Sequence, residues 1–520
     1  MTVDVYDTLL RDGSQTENIA FSLSDKIRLT HEMDELGIDY VEGGWPGSNP
    51  KDIRYFDKMK DETLERTTLT AFGSTRHPNN APEDDDNLQA LLGAETSAIT
   101  IFGKSWPLHV EDALGVSQQE NVEMISSSIR YLKDHGREVI YDAEHYFDGF
   151  KHDSDYALKT IDAALEAGAD CVVLCDTNGG CLPSDIERIF GKTAEQFAGD
   201  LGIHVHNDSG CAVANTIEAV EQGAVQVQGT LNGFGERCGN ADLTSVMPNL
   251  ELKMDIETIG ADNLRKLKDV SRFVDELANL KPDTHQPFVG DSAFAHKGGI
   301  HVSAVRENPR TYEHIDPDLV GNSRKVLVSE LSGKSNILQK AEELGLDISE
   351  DDDEASKVVE EVKKLENKGF QYEAAEGSFE ILVNRLTGQH KTYFKLVGFR
   401  IIIEQESSEN QRCEATIKVN VGDRTEHTAA DGVGPVNALD NALRKALNEF
   451  YPELSEVNLS DFKVRVLDET AGTEAKVRVL VEMTDGETSW RTVGVSENII
   501  EASWQALTDG IGYKLMKTRD

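Results

Sequence analysis

Basic residues are what this chain lacks most. Its 520 residues hold 52 Lys and Arg against 94 Asp and Glu, a formal net charge of −42. A surface of that sign repels phosphate backbones and anionic headgroups, which excludes direct binding to nucleic acid or to an anionic membrane. Long apolar runs are missing as well: no stretch approaches the roughly 18 apolar residues of a spanning helix. The opening MTVDVYDTLL has no basic start of the kind a secretory signal carries and runs straight into a strand pattern, so a cytoplasmic location is expected. Cysteine is sparse. Cys171, Cys175, Cys181, Cys211, Cys238 and Cys413 form no C-x-x-C pair. They fit neither a disulfide framework nor a structural zinc site, and reduced thiols are expected.

What is present in excess is acid, spread along the chain. Glu83–Asp86 and Glu350–Glu354 are only local peaks. Such a surface suits a salty cytoplasm, where counterions keep it compact; the alternative is an ordinary acidic enzyme at the extreme of its range. Apolar residues make up 38% of the chain, enough for packed cores, and the length predicts two to four domains.

The first 235 residues or so alternate between short β-rich runs and amphipathic helical stretches. Strands are predicted at Val3–Leu9, Tyr40–Gly43, Thr68–Phe72, Ala98–Phe102, Glu138–Ala143, Cys171–Cys175, Gly202–Val205 and Val225–Gly229. Helices such as Ser24–Leu36 and Ser154–Ala167 lie between them, with Ser24 and Ser154 read as starts and Gly37 and Gly168 as stops. Eight βα pairs predict a (β/α)₈ barrel. An open doubly wound sheet is the rival, but its first turn is usually a Gly-rich phosphate loop, and L-L-R-D-G-S-Q is not one.

The expected division is a barrel over 1–275, a mostly helical linker region over 276–370 and a C-terminal α+β domain over 371–520. Within the linker, Pro282–Arg310 reads as loops and Lys357–Leu365 as a solvated amphipathic helix. The C-terminal part repeats itself. Glu414–Val421 matches Glu474–Val481 at an offset of 60 residues, and Asn437–Leu443 matches Asn498–Trp504 at 61. Two strand-strand-helix copies are predicted, without evident catalytic groups, as in a binding or regulatory module.

Barrel chemistry sits where strands end. Those ends carry Arg11, Asp12, Glu42, Lys104, Glu144, Thr177, His204, His206, Asn232, Glu236 and Asn240, where a mere core would show Val or Ala. In H-V-H-N-D, His204 and His206 stand at i and i+2 of a strand and point to one side. Two imidazoles and one carboxylate suit a divalent cation with open coordination positions. Asp12, at the end of the first strand, is the carboxylate that barrel closure brings near. Asn240, in the loop G-F-G-E-R-C-G-N-A-D, offers a further carbonyl oxygen. The alternative is two ordinary buried histidines. Arg11 beside such a site would share negative charge developing on a substrate oxygen; its alternative is a surface Arg–Asp ion pair. Glu144, structural or catalytic, and the motif H-K-G-G-I-H, His296 to His301, are further candidates, the latter read as a glycine loop outside the barrel whose histidines are either surface residues or part of a lid over the mouth.

D-T-L-L-R-D-G, H-V-H-N-D, G-E-R-C-G-N-A and G-G-I-H together resemble the 2-isopropylmalate, homocitrate and citramalate synthase family of metal-dependent aldolase-type barrels. The resemblance covers essentially the whole chain, and the duplicated C-terminal part is similar to the family's allosteric domain. V-E-G-G-W-P-G-S-N-P-K-D and T-A-F-G-S-T-R look most like the citramalate synthase branch. The resemblance implies a Claisen-type condensation of acetyl-CoA with a 2-oxo acid, pyruvate in that branch, followed by thioester hydrolysis. It implies metal ligands Asp12, His204, His206 and Asn240, holding Mg²⁺, Mn²⁺, Zn²⁺ or Co²⁺. Arg11 would stabilise the oxo-acid oxygen and Thr177 would bind its carboxylate. Glu144 and His301 are its candidates for removing the acetyl proton, and Tyr312 matches a position near the site. A homodimer is implied, with isoleucine as the effector that pathway position suggests. Two departures are noted: Leu9 stands where a second Thr is frequent, and Cys238 where Ala is common. The weighed alternatives are a 2-isopropylmalate synthase, a carbon–carbon lyase on the same barrel, and a catalytically dead sensor.

Overall fold

The computed structural model describes residues 2–327, 334–343, 353–407, 410–467 and 475–519. It divides into two compact units. One is Met1–Phe294 with Ile315–Arg324, and the other is Ala295–His314 with Lys325–Asp520.

The first unit is built on eight parallel strands: β1 Asp4–Asp7, β2 Tyr40–Gly44, β3 Thr68–Ser74, β4 Ala98–Lys104, β5 Glu138–Glu144, β6 Cys171–Asp176, β7 Leu201–Val205 and β8 Gln226–Gly229. They pair in chain order and close, β1 lying between β8 and β2, so the (β/α)₈ barrel is observed. Closure is pinned by Asp7, whose carboxylate accepts from the Leu9 and Leu231 amides at 2.7 and 2.8 Å and so ties the ends of β1 and β8. Burial pushes that carboxyl up from 3.8 to about 7, against the two amide hydrogen bonds.

Helix starts differ from expectation by one or two residues. Ser22, not Ser24, caps Leu23–Leu36, in a reciprocal capping box with Asp25. Asp153, not Ser154, caps Ser154–Glu166 by accepting from Tyr156 N. In both, the residue just before the first turn holds the extended backbone from which a side-chain oxygen reaches the free amides. Gly37 and Gly168 do stop these helices with left-handed φ of 91° and 96°.

In the second unit, H-K-G-G-I-H is not a loop. Ala295–His296 is a short strand paired with Lys325–Val326, and Gly299–Glu307 is a helix with His301 in its first turn. The amphipathic helix is present as Asp353–Asn367. Residues 350–352 of the acidic peak and Glu474 of the repeat lie outside the described residues.

The C-terminal repeat has three strands per copy rather than two. Lys395–Ser407, Asn410–Val421 and Arg424–Gly432 form one antiparallel sheet, followed by helix Pro435–Leu447. Asn458–Val466, Val477–Thr484 and Ser489–Ser496 form the other, followed by helix Ile499–Arg519. The matched segments are the middle strands, whose alternate side chains Ala415, Ile417, Val419 and Val479, Val481, Met483 build the shared core. The additional strand in each copy is the first, an edge with few buried residues and so a weak pattern. Each helix packs close because a glycine lies beneath its start. A Cβ on Gly432 would meet Ala438 N at 2.3 Å, and one on Gly494 would meet Ala502 O at 2.0 Å. Among the described residues no helix is long and apolar enough to cross a membrane.

Candidate active site

β1 ends in a tight turn in which Thr8 O accepts from the amides of Arg11, Asp12 and Gly13. That turn aims Arg11 and Asp12 at the barrel axis. β7 delivers His204, and the residue just past it is His206, bridged by backbone to Asn240. Asp12 Oδ2 lies 3.4 Å from His204 Nε2 and 3.7 Å from His206 Nε2, and the two imidazole nitrogens are 3.4 Å apart. Among the described residues this is the one cluster of three His, Cys, Asp or Glu side chains close enough to hold a metal ion.

The donor set fits a cation. Asn240 Oδ1 and His206 Nδ1 are buried without a hydrogen-bond partner, while Asn240 Nδ2 is tied to Phe234 O at 3.1 Å. A buried amide oxygen left unmet, on the residue bridged by backbone to His206, is compatible with a further ligand. Burial alone would raise the Asp12 carboxyl, but Arg11, and after it His204 and His206, hold it well below the usual carboxylate range. Burial and the neighbouring His204 push His206 down to about 4, leaving it neutral. For His204 burial acts downward too, but its contact with Asp12 outweighs that and raises it.

Arg11 is not half of a surface ion pair. Its side chain is 17% exposed and that of Asp12 3%. Arg11 Nε donates to Glu42 Oε2, and its guanidinium stacks over Phe72 at 3.8 Å from the ring centroid. Glu42, in the middle of β2, is fully buried and also accepts from Tyr6 Oη at 2.8 Å and Thr8 Oγ1 at 2.5 Å. Burial of Arg11 is thus met by a carboxylate whose other lone pairs are satisfied, the condition under which a buried pair is sustained.

These residues open on a cavity of about 230 Å³ that Glu144, Thr177, Trp45, Phe102 and Asp142 also line. Glu144 ends β5 and pairs with Lys104 at the end of β4. Thr177 Oγ1 accepts from His145 N at 2.9 Å, which leaves its O–H to donate into the cavity. Trp45 packs edge-on against Phe72 and Phe102, closing one wall with aromatic rings.

The structure therefore brings together Arg11, Asp12, Glu144, Thr177, His204 and His206, with Asn240 beside His206. Asn232 is directed elsewhere, bonding to Ser271 and Asp275, and Glu236 sits at the rim. His301 and Tyr312 belong to the second unit, where their rings lie 4.2 Å apart and Tyr312 is about half exposed. Of the departures, Leu9 is buried core and Cys238 is exposed. Sequence reasoning placed Glu42 at a strand end without giving it a role, and missed Phe72, Asp142 and Gln228. The signal for Gln228 was the run Q-V-Q-G, polar at alternate positions of a strand expected to be buried.

Three family models match in series: HMGL-like over residues 2–274, the homocitrate synthase post-HMGL domain over 288–369, and the LeuA allosteric (dimerisation) domain over 373–515. An (R)-citramalate synthase of Geobacter sulfurreducens is 56% identical over 519 residues, covering 100% of this chain and 98% of that one. An (R)-citramalate synthase of Aquifex aeolicus is 52% identical, again over 100% and 98%. A probable 2-isopropylmalate synthase of Methanopyrus kandleri is 30% identical over 100% and 99%. The chain belongs to the HMGL-like family and, within it, groups with the (R)-citramalate synthases.

Proposed function

We propose that this chain joins acetyl-CoA to pyruvate and hydrolyses the thioester, giving (R)-citramalate and free CoA. The observation that carries the reading is the convergence of Arg11 and the Asp12–His204–His206 cluster in one small cavity at the carboxyl end of the barrel.

Asp12, His204 and His206, with Asn240, would hold a divalent cation, which as a Lewis acid polarises the oxo group of the substrate. Arg11, locked between Glu42 and Phe72, donates to the same oxygen as it becomes an alkoxide. Thr177 donates its hydroxyl to the substrate carboxylate. A base takes a proton from the acetyl methyl, the resulting carbon attacks the oxo carbon, the alkoxide so formed takes up a proton, and water then cleaves the thioester. Glu144 lines the cavity and is the first candidate for that base; His301, with Tyr312 against it, is the second. Exchange of acetyl-CoA methyl protons in D₂O separates them: loss in Glu144→Gln but not in His301→Ala assigns the proton to Glu144, and the reverse assigns it to His301.

Trp45, Phe72 and Phe102 give the cavity an aromatic wall, an apolar surface for the substrate's methyl group. Thiol release from acetyl-CoA with pyruvate, 2-oxoisovalerate or 2-oxoglutarate in separate assays tests the substrate. Release with pyruvate is expected. Preference for 2-oxoisovalerate would keep the chemistry and overturn the substrate, and silence with all three would overturn the reading.

We further propose a homodimer with an amino-acid effector, isoleucine, at the C-terminal repeat, supported by the LeuA allosteric (dimerisation) match. Removing the chain after Phe370 should abolish inhibition by isoleucine; retained inhibition would move the effector site out of that region.

A further inference from the structure

Polar side chains in a barrel wall need partners, because a dry interior leaves an unmet amide uncompensated. β8 carries two such residues, Gln226 and Gln228, both buried. Gln228 Oε1 lies 3.0 Å from His204 Nδ1. Its Nε2 lies 3.1 Å from Asp142 Oδ1 and 3.5 Å from Gln226 Oε1. An amide has one accepting end and one donating end. Two oxygens, Asp142 Oδ1 and Gln226 Oε1, surround Nε2 and accept from it, so the –NH₂ faces them and the carbonyl oxygen faces His204. That oxygen can only accept, so the hydrogen of the imidazole sits on Nδ1. The neutral ring then carries its lone pair on Nε2, the atom turned toward Asp12 and His206. His206 has no such partner, its Nδ1 being buried and unmet.

We propose that Gln228 is a positioning residue: held by Asp142, its amide locks His204 as the Nδ1–H tautomer and presents Nε2 to the cation. The proposal rests on the cation reading above and gives work to two residues, Gln228 and Asp142, that the condensation does not otherwise use. The chain of contacts runs across the barrel interior from β5 through β8 to β7, so three strands fix the direction of one lone pair.

The test uses the full chain with ring-¹⁵N-labelled histidine, and His204→Gln to assign the signals. Without metal the Asp12 carboxylate beside Nε2 competes for the ring hydrogen, so the spectrum is recorded with Zn²⁺ bound: His204 should show hydrogen on Nδ1 in the native chain and a shift toward a mixture in Gln228→Leu. Titration with Mn²⁺ should show about 10- to 100-fold weaker binding in Gln228→Leu, the range for loss of an outer partner of a metal-bound imidazole. Gln228→Glu, which keeps an acceptor oxygen on Nδ1, should recover most of that loss; no recovery would make the residue merely structural. Hydrogen on Nε2 in the native chain overturns the proposal, as does unchanged Mn²⁺ affinity in a folded Gln228→Leu. If that variant fails to fold, the native spectrum alone decides. A native chain that binds neither Zn²⁺ nor Mn²⁺ would sink the cation reading and the lock with it, whereas binding with unchanged affinity in Gln228→Leu would sink the lock alone.

Discussion

In the barrel mouth, Asp12, Glu42, Asp142 and His204 lie inside the protein, and Arg11 nearly so. In the C-terminal repeat, Arg424 pairs with Glu426 and Glu449, Arg491 with Glu482, and Lys463 with Asp461, all on residues that water reaches. Both regions are rich in opposite charges, yet the two arrangements differ in what they demand. An exposed pair gains little because water screens it. A buried pair must be met on every side or the fold loses free energy. The mouth meets that demand with Tyr6, Thr8, Phe72 and Gln228 around its charges. Charge held inside at such a cost in partners needs a reason, structural as for Lys26 and Asp52 or chemical as proposed for the mouth; charge left outside needs none.

The sharpest way to break this contrast is Arg11→Ala. Turnover should fall about 10²–10³-fold, the loss typical of one oxyanion donor, with Mn²⁺ affinity nearly unchanged. Equal loss of both would make the arginine structural. His206→Ala should weaken Mn²⁺ binding by more than about 100-fold, beyond the effect of an outer partner; native affinity in a titration would remove it from the cation site. In the repeat, Gly494→Ala should destabilise the C-terminal copy by about 1–3 kcal/mol through overpacking against Ala502 O, read as a lower melting transition with barrel turnover kept. A melting curve identical to the native one would mean that the helix can shift away.

Asp7 gives a smaller effect with a defined sign. Its folded carboxyl is raised to about 7, so the folded chain holds the proton better than the unfolded one, whose carboxyl titrates near 4. The stability it contributes is fully present below about pH 4 and is lost as pH rises toward 7. Asp7→Asn should flatten that part of the stability-against-pH curve; an unchanged slope in denaturant melts at several pH values would refute it. Least of all, Lys463→Ala should leave stability and turnover alike untouched within error, as an exposed pair predicts.

The barrel was legible because its strands are short buried runs between amphipathic helices, and because polar residues at their carboxyl ends have no packing reason. Asp12, His204 and His206 follow from one periodicity and one closure rule. Gln228 and Asp142 were harder. They sit within strands, and only pairing across the barrel, not spacing along the chain, puts an amide between a carboxylate and an imidazole. The repeat was half legible for a related reason: its middle strands alternate cleanly, since one face is buried, whereas the edge strands Lys395–Ser407 and Asn458–Val466 bury little and leave no such imprint. The helix holding His301 was hidden by Gly298 and Gly299 at its start, which favour a loop by local preference; packing of Val302 and Val305 makes it a helix instead.

The clamp on Arg11 has a thermodynamic meaning beyond its charge. A free arginine side chain surrenders up to about 2 kcal/mol of rotamer entropy whenever it is ordered around a ligand. Here Glu42 and Phe72 fix its χ angles before any substrate arrives. That entropy is therefore given up once, when the chain folds, and, on the proposed function, not again at each turnover, so a small substrate with few atoms of its own would meet a guanidinium that has nothing left to arrange.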